Sequence, residues 1–110
     1  MRSDLDRRIA ARQTTLEAGG HTFTLRRPTE FEKVRHGGLS LLDYLCEFID
    51  AADLTEADLF AGGTAEPVAF DRALVRDWLY DQPDLWKPLT EALAGLVSAH
   101  EARVEAELKN

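Results

Sequence analysis

Two adjacent glycines, Gly19 and Gly20, separate two threonine-rich runs, Thr14-Thr15-Leu16-Glu17-Ala18 and His21-Thr22-Phe23-Thr24-Leu25. No other pattern in the chain limits the fold as much. A Gly-Gly loop accepts the positive φ angles of a tight hairpin turn, and the flanking threonines favour strands. Pairing across the turn sets Leu16 opposite Phe23, with Leu25 on the same face as Phe23. A two-stranded hairpin alone is marginal in water, so this apolar face must pack on helices.

The rest of the chain supplies them. Ser3 with Asp6 resembles a capping box, so residues 1–13 read either as a short helix over 4–13 or as a flexible arm. Pro28 holds Arg27 extended, and Thr29 with Glu32 caps a helix to about Arg35. Ser40 and Asp43 open an apolar helix over residues 40–52, with Leu41, Leu42, Leu45, Cys46, Phe48, Ile49 and Ala52 at the 3–4 spacing of a buried stripe. Thr55 and Asp58 start a short helix through Phe60, and residues 61–67 read as a loop. Residues 68–80 follow as a helix with Phe70, Leu74, Val75, Trp78 and Leu79 inward, and a last helix covers 85–108. Its apolar face is Leu85, Leu89, Leu93, Leu96 and Val97, and beyond His100 only a thin seam of Val104 and Leu108 remains. The expected class is mainly α with one N-terminal β-hairpin, a small α+β fold of about four to six helices. It occupies one domain over residues 1–110, with the hairpin at 14–26 and the helical part at 29–108.

Charge decides which partners are excluded. Residues 1–36 hold eight basic residues against five acids, whereas residues 37–110 hold five against fifteen, giving −7 overall. That acidic balance argues against nucleic acid, which needs a concentrated basic surface. Cys46 is the only cysteine, so no disulfide framework exists and a reducing compartment fits. No apolar run approaches the roughly 18–20 residues that span a bilayer, and the N-terminus lacks the apolar stretch of a secretory signal. The reading is cytoplasmic, with no membrane partner.

No catalytic constellation emerges. Cys46 falls at core spacing from Leu42 and Ile49, and His21, His36 and His100 show no metal-ligand spacing. Asp81 and Asp84 beside Pro83 suit a turn and cap better than an acid–base pair. The glycine doublets serve turns and belong to no phosphate-binding motif. The chain is therefore expected to be no enzyme, with no catalytic residues, no cofactor and no metal. Binding remains, and Trp78, Tyr80 and Trp86 mark a helix–helix corner where a partner hot spot would sit.

The run Gly20-His21-Thr22-Phe23-Thr24-Leu25-Arg26-Arg27-Pro28-Thr29 resembles the opening of small tail assembly chaperones of tailed bacteriophages, in which a hairpin ends in a Leu-Arg-Arg-Pro-Thr-like segment and hands over to helices. The similarity covers about residues 14–60, including Asp53-Leu54-Thr55-Glu56-Ala57-Asp58-Leu59. It implies a chaperone that binds the tape measure protein and tail tube subunits in the host cytoplasm and is absent from the mature virion. A homo-oligomer is compatible with it. The partner-binding residues expected are Arg26, Arg27, Pro28 and Thr29 at the junction, with both arginines exposed, together with Trp78, Tyr80 and Trp86. Two other readings stand beside it. One is a small acidic inhibitor of the immunity or antitoxin kind, favoured by the −10 balance after residue 36. The other is a structural head–tail or tail completion protein.

Overall fold

The hairpin forms as its turn chemistry requires. In the computed structural model, which describes residues 3–109, β1 (Gln13–Ala18) and β2 (His21–Arg26) pair antiparallel with Leu16 opposite Phe23. Gly19 and Gly20 adopt φ of 58° and 80°, the left-handed region that glycine enters without steric cost. Before the hairpin, α1 (Asp4–Ala11) is capped by the Ser3 side chain, which accepts from the Asp6 N–H, and Gln13 belongs to β1 rather than to this helix. After it, α2 (Glu30–His36) starts at a full capping box between Thr29 and Glu32.

The expected helix over 40–52 is divided. Its first half forms α3 (Leu41–Glu47), capped by Ser40, but Ile49–Ala52 is a strand, β3, that pairs with β2 and makes a three-stranded antiparallel sheet in the order β1-β2-β3. A short apolar run cannot be assigned to helix or strand by periodicity alone, and here tertiary partners decide. Arg72 Nη1 donates to the carbonyls of Cys46 (2.6 Å) and Ile49 (2.7 Å), and the Arg26 N–H donates to that of Phe48 (2.9 Å). Backbone acceptors that a longer helix would have bonded internally are satisfied from outside it. Phe23 pairs with Ala52 and Thr24 with Ala51, but Leu25 pairs with Ile49, so Asp50 is left unpaired at a bulge. Bulges re-aim side chains, and Asp50 accepts from Gln13 Nε2 (2.8 Å) and Arg26 Nε (3.0 Å).

The next segment is also shorter than its pattern suggests. Thr55 caps α4 (Glu56–Leu59) through a box with Asp58, and then pairs with Pro67 across an isolated bridge. The Val68 N–H donates to the Leu54 carbonyl (2.9 Å), and residues 68–71 lie outside any helix. Helix α5 (Arg72–Tyr80) begins at Asp71, whose carboxylate caps Ala73 and Leu74, and Phe70 faces outward beside the Arg72 guanidinium. The last helix, α6 (Pro83–Lys109), runs for 27 residues and tolerates Pro88 near its start.

The core fills the space between the sheet and the helices α3, α5 and α6. Phe23, Leu25, Leu45, Phe48, Leu79 and Leu89 are all fully buried, and Ile49, Cys46, Leu85 and Leu93 complete the cluster. Each large apolar side chain removed from water in this way contributes about 1.5–3 kcal/mol. Leu41, expected inside, is instead 69 % exposed because it faces outward on the first turn of α3. Residues 101–109 of α6 are all exposed and carry the helix beyond the core. The radius of gyration is accordingly 15.6 Å, above the roughly 13 Å of a compact domain this size. Among the described residues, no helix is long and apolar enough to cross a membrane.

Candidate functional site

The hairpin junction is built from structural contacts, which corrects the expectation that both arginines stand free. Arg26 is pinned between Asp50 and Glu32 (Nη1 to Oε2, 2.6 Å), and its guanidinium lies 5.3 Å from the centre of the Phe48 ring. Burial opposes its charge, but the bond to Glu32 and the nearby Asp50 carboxylate outweigh that and raise its pKa. Pro28 is fully buried, and Thr29 is occupied as the helix cap. These three residues hold the strand-to-helix corner, so they present little to a partner. Arg27 differs. Its backbone N–H donates to the Arg12 carbonyl (2.8 Å), while its side chain stays half-buried and forms no ion pair with a described carboxylate.

The three aromatics do not share one surface. Trp78 turns toward the sheet and stacks edge-on against His21, with ring centres 5.3 Å apart. Tyr80 is 44 % exposed, and its hydroxyl donates to the Asp43 carboxylate on α3. Trp86 anchors its indole N–H on the Leu79 carbonyl (2.7 Å) and leaves one ring edge in solvent. Trp86 and α3 together border a groove of about 370 Å³, lined by Leu41, Leu42, Trp86, Lys87, Thr90 and Glu91. Its floor is apolar, and Lys87 and Glu91 supply opposite charges one helical turn apart. The sequence pattern points to Trp86 but not to Leu41 or Leu42, because their spacing matches a buried stripe. No local signal separates them from that stripe, because the Ser40 cap fixes where α3 starts and not which of its faces is covered.

The other reactive groups are accounted for by packing. Cys46 is buried, and burial pushes its thiol up to about 11, so it remains protonated and inert at neutral pH. His21 lies near Asp53 (3.6 Å) and Asp58 (3.9 Å), but Asp53 accepts from the Thr22 N–H and Asp58 caps α4. Among the described residues no group of three or more His, Cys, Asp or Glu is arranged to hold a metal ion. The groove between α3 and α6 is thus a concave surface with an apolar floor and no reactive group. No family model, curated protein or solved structure matches this chain.

Proposed function

We propose that this chain is a non-catalytic binding protein that seats an amphipathic helix of another protein in the groove between α3 and α6. The observation that carries the reading is the groove's composition, an apolar floor of Leu41, Leu42 and Trp86 beside the charged pair Lys87 and Glu91. Such a surface suits helix-in-groove recognition, where apolar residues of the guest fill the floor and its polar flanks meet the rim. The resemblance of residues 14–60 to tail assembly chaperones names the partner: the tape measure protein, whose helices need cover before the tail tube closes on it, with tail tube subunits as the second candidate. An acidic net charge of −7 keeps such a complex soluble.

Co-expression with the gene products encoded on either side, followed by tagged purification and mass spectrometry, tests the reading. The expected outcome is recovery of a long helical tail protein, lost when Leu41 is changed to Glu. That substitution tolerates folding because Leu41 is exposed at a helix N-terminus, where an acid is favoured. Recovery of a nuclease or repressor instead would assign the chain to the inhibitor class.

A further inference from the structure

Four arginines line a second cleft that shares no residue with the α3–α6 groove. Arg8 and Arg12 come from α1, Arg27 from the extended exit of β2, and Arg103 from the projecting part of α6, and with Ala11 they line a cleft of about 240 Å³. None of the four forms an ion pair with a described carboxylate, although the chain carries twenty acids. The same exposed surface elsewhere pairs its cations readily, as Lys33 does with Glu30 and Glu101. The cleft is therefore a concentration of unneutralised positive charge on an acidic protein.

Two further observations describe how these arginines are held. Arg12 Nε is buried without a hydrogen-bond acceptor, and the Arg12 side chain is steadied by its Nη1, which donates to the Arg8 carbonyl (3.3 Å). Arg27 is lowered from its ordinary pKa first by burial and then by repulsion from Arg12 and Arg103, so the guanidinium groups lie close enough to disfavour one another. Glu30 and Glu32 offset part of this repulsion, but Glu30 is bonded to Lys33 and Glu32 to Arg26. Gathering like charges without a counter-charge is unfavourable, and an anion placed among them removes the repulsion and supplies acceptors.

We propose that the cleft lined by Arg8, Arg12, Arg27 and Arg103 is a binding site for a compact oxyanion of the phosphate class. Guanidinium groups present planar paired donors that match phosphate oxygens, and several converging on one point favour a small multivalent anion over a single carboxylate. The cleft's size admits one such group. With four arginines lining it, the cleft is too small a basic surface for the many phosphate contacts of a nucleic-acid interface. The site is independent of what the α3–α6 groove binds.

Isothermal titration of the intact chain with orthophosphate, at ionic strength held constant with chloride, tests the proposal. A phosphate monoester, phenyl phosphate, is titrated in parallel. Saturable one-to-one binding of either is expected, with orthophosphate preferred if the ligand is the free anion and the ester preferred if it is a phosphorylated molecule. Arg27→Gln with Arg103→Gln should weaken that binding at least tenfold, and an unchanged circular dichroism spectrum would show that the variant is folded. Binding that survives the double substitution, or heat matched by chloride alone, overturns the site. So does binding of a glutamate-rich peptide without phosphate binding, which would assign the cleft to an acidic protein partner.

Discussion

Arg26 Nε lies 3.0 Å from Oδ2 of Asp50, and this pair joins the end of the hairpin to the strand that stands where the sequence pattern continues a helix. Both side chains are more than four-fifths buried, and Arg72 reaches the other Asp50 oxygen at 3.5 Å. Removing Arg26 takes the cation from between two partly buried carboxylates, leaving Asp50 to Gln13 and Arg72 and Glu32 to Thr29. Arg26→Ala should cost about 1.5–3 kcal/mol in urea denaturation. Arg26→Lys should recover only part of it, because an ammonium lacks the fork that spans two carboxylates. A midpoint unchanged from wild type would remove the network from the account of the fold.

Glu32 gives the fold a specific acid sensitivity. Burial alone would raise its pKa, but hydrogen bonds from Arg26 and Thr29 outweigh that and hold it below the ordinary range. A carboxylate lowered by folding stabilises the protein above its unfolded pKa, and the contribution is lost as pH falls from about 4 through the lower folded value. Glu32→Gln should therefore be less stable than wild type at about pH 7, and the two should converge at about pH 2–3. Parallel denaturation curves with a constant gap at all pH values would contradict this.

The two turn glycines should respond differently. A Cβ on Gly19 would stand 2.6 Å from a methyl of Leu85, whereas one on Gly20 would meet nothing within 4 Å. Gly20→Asn should change stability by less than about 0.5 kcal/mol, since Asn tolerates the left-handed region. Gly19→Ala should cost about 1–2 kcal/mol from its backbone alone, with displacement of buried Leu85 added. Thermal melts of both variants check the order.

Two leucines of α3, four residues apart, should separate core from surface. Leu45 is fully buried, and Leu45→Ala should cost about 2–5 kcal/mol. Leu41 is 69 % exposed, and Leu41→Ala should shift stability by less than about 0.5 kcal/mol. Comparable losses in chemical denaturation would place Leu41 in the core.

The far end of α6 should be dispensable for folding. Val104 and Leu108 are 41 % and 82 % exposed, and residues 101–109 all face solvent. Ending the chain after Arg103 should cost less than about 1 kcal/mol, while small-angle scattering should report a smaller radius of gyration than that of the full chain.

What the sequence made legible was local chemistry. The Gly-Gly turn and its register, the capping boxes at Thr29 and Thr55, the Ser3 and Ser40 caps and the buried Cys46 each depend on residues within a few positions of one another. The candidate site was legible only at Trp86, where a large amphipathic ring sits at a helix start. Its other wall was hidden, because Leu41 and Leu42 continue an apolar spacing whose buried half lies at Leu45 and Cys46.

By itself, then, the sequence determined the hairpin, the capped helix starts, the mainly α composition and the absence of a long apolar span, since these follow from steric limits on glycine and proline and from short-range hydrogen bonding. Only the tertiary structure decided that residues 49–52 form a strand, that Arg26 is a buried tie and Arg27 part of a basic cleft, and that Trp78 and Trp86 face different neighbours. The physical reason is that each of these outcomes turns on partners tens of residues away. Arg26 meets Asp50, Arg72 meets the carbonyl of Cys46, and Arg27 meets Arg103 only once the sheet and helices have packed.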